Sequence, residues 1–191
     1  MRGLTVSAQT PSLRRHECLY EEMSDMRLCY VLLSPTFGMH QYTADLANRM
    51  AQVRSPDPVD VHVVTTARAP HDRYAPAVHV HAPVDTTVSG FSSEALRLAE
   101  YRRAEEAVLD LHPDAAHLTG AHIWNVSVVR SLAAYGISVV HSLHDLDPHG
   151  GVGSGDLPRA WNRMIIRGSD QITVHRKTHR ERLLRMGLPP E

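Results

Sequence analysis

Leu28-Cys29-Tyr30-Val31-Leu32-Leu33-Ser34, with Pro35-Thr36-Phe37-Gly38 after it, is the stretch that decides the fold. Six apolar residues in a row, without polar alternation, read as a strand buried on both faces, as strands of parallel sheets are. The proline and glycine then make a turn, and His40 to Met50 follow with Tyr42, Leu46 and Met50 at helical spacing. A buried strand, a tight turn and a helix form the first unit of an α/β sheet.

Outward from this unit the pattern repeats. Val59 to Thr65 reads as a second strand after Ser55-Pro56-Asp57-Pro58, and Val78 to His81 as a short alternating one. Ser92 to Leu111 reads as a long helix capped by Ser92 or Ser93, with Leu96, Ala99, Ala104, Val108 and Leu111 facing inward. Ala115 to Leu118 is a strand, and Trp124 to Tyr135 a helix ended by Gly136. Ile137 to His141 is a strand, Pro158 to Arg167 a helix and Gln171 to Val174 a strand. A last helix, Lys177 to Met186, stops at Gly187. Strands alternating with helices imply βαβ units and a Rossmann-like, doubly wound parallel sheet. Residues 1–25 lack periodicity and read as a flexible leader, which leaves 26–191 as one domain. The closing Gly187-Leu188-Pro189-Pro190-Glu191 reads as a helix stop and a linker toward another strand.

Composition narrows the function classes. The formal net charge is -1, so no overall field recruits nucleic acid or an anionic membrane. No apolar stretch approaches the roughly 20 residues of a membrane span, and no secretory h-region stands at the N-terminus. Cys18 and Cys29 are the only cysteines, which argues for a reducing cytoplasm and against a disulfide framework. Lys177 is the only lysine among 20 basic residues, and there are 14 histidines. The arginine excess reads as codon bias rather than chemistry.

Ligands of open α/β sheets bind beyond the carboxyl ends of the strands, and three loops there carry chemistry. The first is Ser34 to Met39, where Gly38, beside Phe37, either is an ordinary turn glycine or lets helix amides approach a phosphate. It is neither a GxGxxG fingerprint nor a P-loop. The second is Thr119-Gly120-Ala121-His122-Ile123-Trp124-Asn125, in which His122 and Asn125 are candidates for a hydroxylated substrate. Trp124 reads as core, and Asn125 alternatively as a helix cap. The third, His141 to Gly151, holds three histidines and two aspartates within nine residues. Its spacing fits no closed zinc motif, so we read a polar substrate loop with His144 and Asp145 at the strand end and His149 in a flap. His79 and His81 read as an exposed strand face, and His175 and His179 as solvated helix surface.

The ordered set of an apolar strand with its glycine loop, "PDAAHLTGAHIWNVSVVRSLAAYGISVVHSLHDLDPH" and "WNRMIIRGSDQITVHRKTHRERLLRMGLPPE" resembles the N-terminal domain of retaining GT-B glycosyltransferases, particularly family four. The resemblance spans about Met26 to Glu191. It implies two Rossmann-like domains around a cleft, the first holding an acceptor hydroxyl and the second a nucleotide-diphosphate sugar. It implies transfer with retention of configuration and no metal or other cofactor. On it, Gly38 matches the loop glycine near the donor diphosphate, and His144 a position facing the cleft. Many members carry a histidine near the reacting sugar where this chain has Thr119, with His122 shortly after. Members also hold the donor with two glutamates eight apart in the second domain, a spacing no glutamate pair here has. The expectation is therefore an acceptor-binding half, inactive without a donor-binding half supplied by a separate protein or another copy. A carbohydrate-binding module without catalysis and a His/Asp metal-dependent hydrolase are the competing readings.

Overall fold

A computed structural model of the chain describes residues 26–34, 37–54, 58–86, 96–146 and 156–188. The expected leader, the Ser92 or Ser93 cap, the Pro35-Thr36 turn and His149 lie outside them. Six parallel strands run β1 (Met26–Leu32), β2 (Val59–Thr66), β3 (Val78–Val84), β4 (Ala115–Leu118), β5 (Ser138–Leu143) and β6 (Gln171–Val174). Their spatial order is β3-β2-β1-β4-β5-β6, so the chain starts at the centre and winds outward in both directions. This is a Rossmann-like α/β sheet with its switch point between β1 and β4. Five helices accompany it: α1 (Phe37–Met50), α2 (Leu98–Leu109), α3 (Asn125–Ala134), α4 (Asp156–Gly168) and α5 (Lys177–Arg185).

The sheet is buried on both faces because successive side chains of β1 point opposite ways. Cys29, Val31 and Leu33 join Val64, Ala116 and Leu118 beneath α2, α3 and the inner side of α4. Leu28 and Tyr30 join Val61, Val63 and Ala115 beneath α1. A third cluster, Leu143, Leu146, Ile166 and Leu183, seats α5 against the β6 edge.

Tyr42, Leu46 and Met50 lie half-buried along one side of α1, while its fully buried stripe is His40, Thr43, Ala44 and Ala47, continued by Ala51 just beyond the helix. Small side chains let the helix backbone lie close on the sheet, and the bulky ones pack beside it. In α2, Leu96 precedes the helix and is 80% exposed, and Ala99 is also exposed. The helix meets the core only from Tyr101, which packs edge-on to Trp124, and Ala104 onward.

Both glycine stops form Schellman turns. Gly136 has φ +72° and donates to Ala133 O, while Ile137 N reaches Leu132 O. Gly187, at φ +89°, donates to Leu184 O, and Leu188 N reaches Leu183 O. A matching pair of aspartates starts strands. Asp114, just before β4, accepts Arg27 N at 2.7 Å through Oδ2 and donates its own amide to Arg27 O. Asp170, just before β6, does the same to Val139 N and Val139 O. Each carboxylate fixes where its strand enters the sheet relative to the neighbour.

Candidate functional site

The crevice at the switch point is floored by Thr119, the residue after β4. Its hydroxyl meets Thr43 Oγ1 of α1 at 2.7 Å, and Thr43 Oγ1 donates to Met39 O at 2.8 Å. These bonds tie the first turn of α1 to the carboxyl end of β4. Gly120 follows, and a Cβ there would stand 2.5 Å from Leu32 Cδ1, so the buried Leu32 side chain would have to shift. Gly38 differs, lying exposed in the first turn of α1 with open space around a would-be Cβ. Phe37 begins the same helix.

The β4–α3 turn is braced from inside. Asn125 Nδ2 donates to Gly120 O at 2.8 Å, and His122 Nδ1 accepts from Trp124 N at 3.2 Å. The His122 carbonyl takes the Trp161 indole N–H at 2.9 Å, and its ring packs 4.4 Å from that of Trp124. His122 is 2% and Asn125 1% exposed. Expected as candidates for a substrate, both side chains are buried in this structure, where Asn125 Nδ2 and His122 Nδ1 bond the turn itself and Trp161, remote in sequence, bonds the His122 carbonyl. Trp124 is core, as its reading stated.

His144, immediately after β5, lies half-buried at the crevice. Its Nε2 donates to Thr119 O at 2.8 Å, which places the proton there and leaves Nδ1 as an acceptor in the neutral ring. Burial holds its pKa below the ordinary value, and the Thr119 carbonyl opposes that in part. Asp145 is exposed beside it, while its carbonyl and that of Leu146 receive Asn162 Nδ2 at 3.2 Å.

Four residues that the sequence did not single out for a site, Tyr42, Ser142, His117 and His175, meet here. Tyr42, on α1, bonds through its hydroxyl to Ser142 Oγ at 2.9 Å, and Ser142 Oγ meets His117 Nε2 at 2.8 Å. His175, immediately after β6, stacks on His144 with centroids 4.8 Å apart. Tyr42 stands edge-on to both rings, at 5.2 and 5.0 Å. His175 had read as solvated surface; it is exposed but held between two rings. Its place follows from β5 and β6 being neighbours, which no local pattern reveals. Burial lowers His117 to about 4 and His141 to about 3, so both are neutral beneath the site.

A second histidine group lies elsewhere on the sheet. His79 and His81 flank His62, which stacks on both and bonds Asp60 and His81 at 3.0 Å each. They had read as a plain exposed face, but β2 supplies His62 and Asp60 as partners. Among the described residues no group of three or more histidine, cysteine or acidic side chains is arranged to hold a metal ion.

Residues 38–191 match the sequence pattern of Glycosyltransferase Family 4. The chain belongs to that family. The six-stranded sheet with its switch-point crevice is thus the N-terminal half of a GT-B architecture. No curated protein is significantly similar to this family member in sequence. Solved structures agree on the fold. A putative UDP-N-acetylglucosamine 2-epimerase from Listeria monocytogenes superimposes with TM-score 0.62 at 12% identity, covering 88% of this chain and 44% of that one. A UDP-GlcNAc 2-epimerase from Neisseria meningitidis, bound to UDP-GlcNAc, gives 0.62 at 14% identity, covering 86% and 44%. A third UDP-N-acetylglucosamine 2-epimerase gives 0.55 at 17% identity. The chain spans less than half the length of these structures. Among the described residues no helix is long and apolar enough to cross a membrane.

Proposed function

We propose that this chain is the acceptor-binding half of a retaining glycosyltransferase that takes its sugar from a nucleotide-diphosphate donor. The observation that carries the reading is the neutral, oriented imidazole of His144 at the switch-point crevice of a family-four domain. His144 Nδ1 accepts the hydrogen bond of an acceptor hydroxyl and points it at the anomeric carbon. Gly38, with the amides of the first turn of α1, lies against the donor diphosphate. Thr119 acts through its carbonyl, which fixes the His144 tautomer. Asp145, and His149 beyond the described residues, complete the acceptor side. Transfer breaks the bond from anomeric carbon to diphosphate oxygen and forms one to the acceptor oxygen on the same face. The hydroxyl proton leaves with the diphosphate, and no metal or other cofactor takes part.

One half-cleft binds but neither closes around both substrates nor excludes water. The reading therefore includes a donor-binding half, a separate cytoplasmic protein or another copy of the chain. The test incubates the chain with a panel of nucleotide-diphosphate sugars, UDP-GlcNAc included, alone and with a protein carrying the second domain. Mass spectrometry reads the sugar transferred. Transfer in the mixture, lost on His144→Ala, is expected. Turnover by the chain alone rejects the half-enzyme reading, and transfer with inversion rejects the retaining one.

A further inference from the structure

We infer that His144 and His175 together form a proton-coupled binding site for a phosphoryl oxyanion at the carboxyl ends of β5 and β6. The inference rests on reading the crevice as a ligand site, but not on sugar transfer.

The rings are placed, not merely adjacent. They stack at 4.8 Å with 26° between their planes, and Tyr42 stands at 89° to each. Tyr42 is itself anchored by Ser142, which His117 holds in turn. An exposed histidine with no other role has no need of such a bracket. The nitrogens are also accounted for. His144 Nε2 is spent on Thr119 O, while His144 Nδ1 and both nitrogens of His175 have no partner among the described residues.

The charges around the pair come from every neighbouring element. His117 on β4 and His141 on β5 are neutral through burial, and Tyr42 on α1 is a phenol. Asp145 after β5 is acidic, whereas Arg176 and Lys177 are basic, and the first turn of α5 holds no acidic residue. Lys177 stands 3.9 Å from Glu181 one turn on. His175, stacked on His144, adds to the burial that opposes a charge on the His144 ring. A tetrahedral oxyanion with several acceptor oxygens relieves that opposition and takes a charge-assisted hydrogen bond from a ring N–H of His175. Binding then draws in a proton. The same chemistry serves the diphosphate of a donor or a phosphate on an acceptor.

Sulfate is the first probe, because its own charge is constant between pH 6 and 8. Calorimetric titration of the full chain, in two buffers of different ionisation enthalpy, reads affinity and proton uptake together. Affinity falls as pH rises from 6 to 8, by at most about tenfold per unit for one linked proton. His175→Asn, neutral and similar in size, abolishes both the slope and the uptake while circular dichroism stays native. Tyr42→Phe keeps the ring but frees the anchor, and weakens binding with the slope intact. UDP and a sugar monophosphate, run the same way, assign the source by which binds tighter. Equal sulfate affinity at pH 6 and 8, or a His175→Asn variant that binds like the parent, overturns the inference. Proton-coupled sulfate binding without sugar transfer in the mixture with the second domain leaves this site standing and rejects the glycosyltransferase reading.

Discussion

Acid should unfold this domain through its buried histidines, well before its carboxylates titrate. His117 and His141 have folded pKa values of about 4 and about 3, against an ordinary 6.5. Burial is the first cause in both, since a charged ring there would lose its hydration. Both values are depressed, so between folded and ordinary pKa the unfolded chain binds protons that the folded chain refuses. Stability is therefore full above pH 6.5 and falls as pH drops, levelling only below the folded values. At pH 5 each ring costs about 2 kcal/mol relative to pH 8, about 4 kcal/mol together. That is a large share of the roughly 5–15 kcal/mol that holds an ordinary domain folded. His40, His81 and His144 are lowered as well and act in the same direction. Asp60, which burial would raise but Arg27 and His62 lower, acts only further down the pH scale. Urea unfolding at pH 8, 6.5 and 5, followed by the fluorescence of buried Trp124 and Trp161, measures the loss. His141→Leu should shrink the difference between pH 8 and pH 5 by about 2 kcal/mol, whatever its effect at pH 8. Stability at pH 5 within about 1 kcal/mol of that at pH 8 would refute the reasoning, since titration of these rings sets the scale.

Three further outcomes follow from the packing. Gly120→Ala places a methyl group 2.5 Å from Leu32 Cδ1, and should cost about 1–3 kcal/mol, read as a drop in Tm. Asp170→Ala removes the acceptor for Val139 N and should cost about 1–3 kcal/mol, with hydrogen exchange accelerated at β6 before β1. Trp161→Phe keeps most of the ring but leaves the His122 carbonyl without its indole donor. We expect a loss of about 1–3 kcal/mol in denaturant unfolding, and no loss would show that water fills the place.

The architecture was legible because it is written in local patterns. The apolar run of β1 announces a two-faced burial, and Gly136 and Gly187 announce helix stops that form as expected. In α1 the closest approach to the sheet falls on Ala44 and Ala47, which weigh little on a hydrophobicity scale yet set how closely a helix lies on a sheet. The place of His144 at a strand end was legible because it rests on one local pattern. His122 and Asn125 stand in a loop of the right kind, but their burial shows only once the turn is folded, with Asn125 Nδ2 on Gly120 O and the distant Trp161 on the His122 carbonyl. His175 and Tyr42 could be recognised only once β5, β6 and α1 were side by side. The histidines of β3 showed their shared face in sequence, but not that His62 and Asp60 complete a row across two strands.

The outermost strand sets a limit on how rigid the crevice can be. β6 has four residues, pairs among the described residues only with β5, and alternates exposed with half-buried positions. Its helix, α5, buries a single residue, Leu183. Such a unit opens and closes on its own, at a free energy well below that of global unfolding. His175 is the next residue along the chain, so one ring of the stacked pair belongs to the part that frays first, and the other to the stable centre. A ligand gripping both rings staples the loose margin to the firm middle, and its arrival should be visible as slowed amide exchange in β6 and α5 while β1 and β4 stay unchanged.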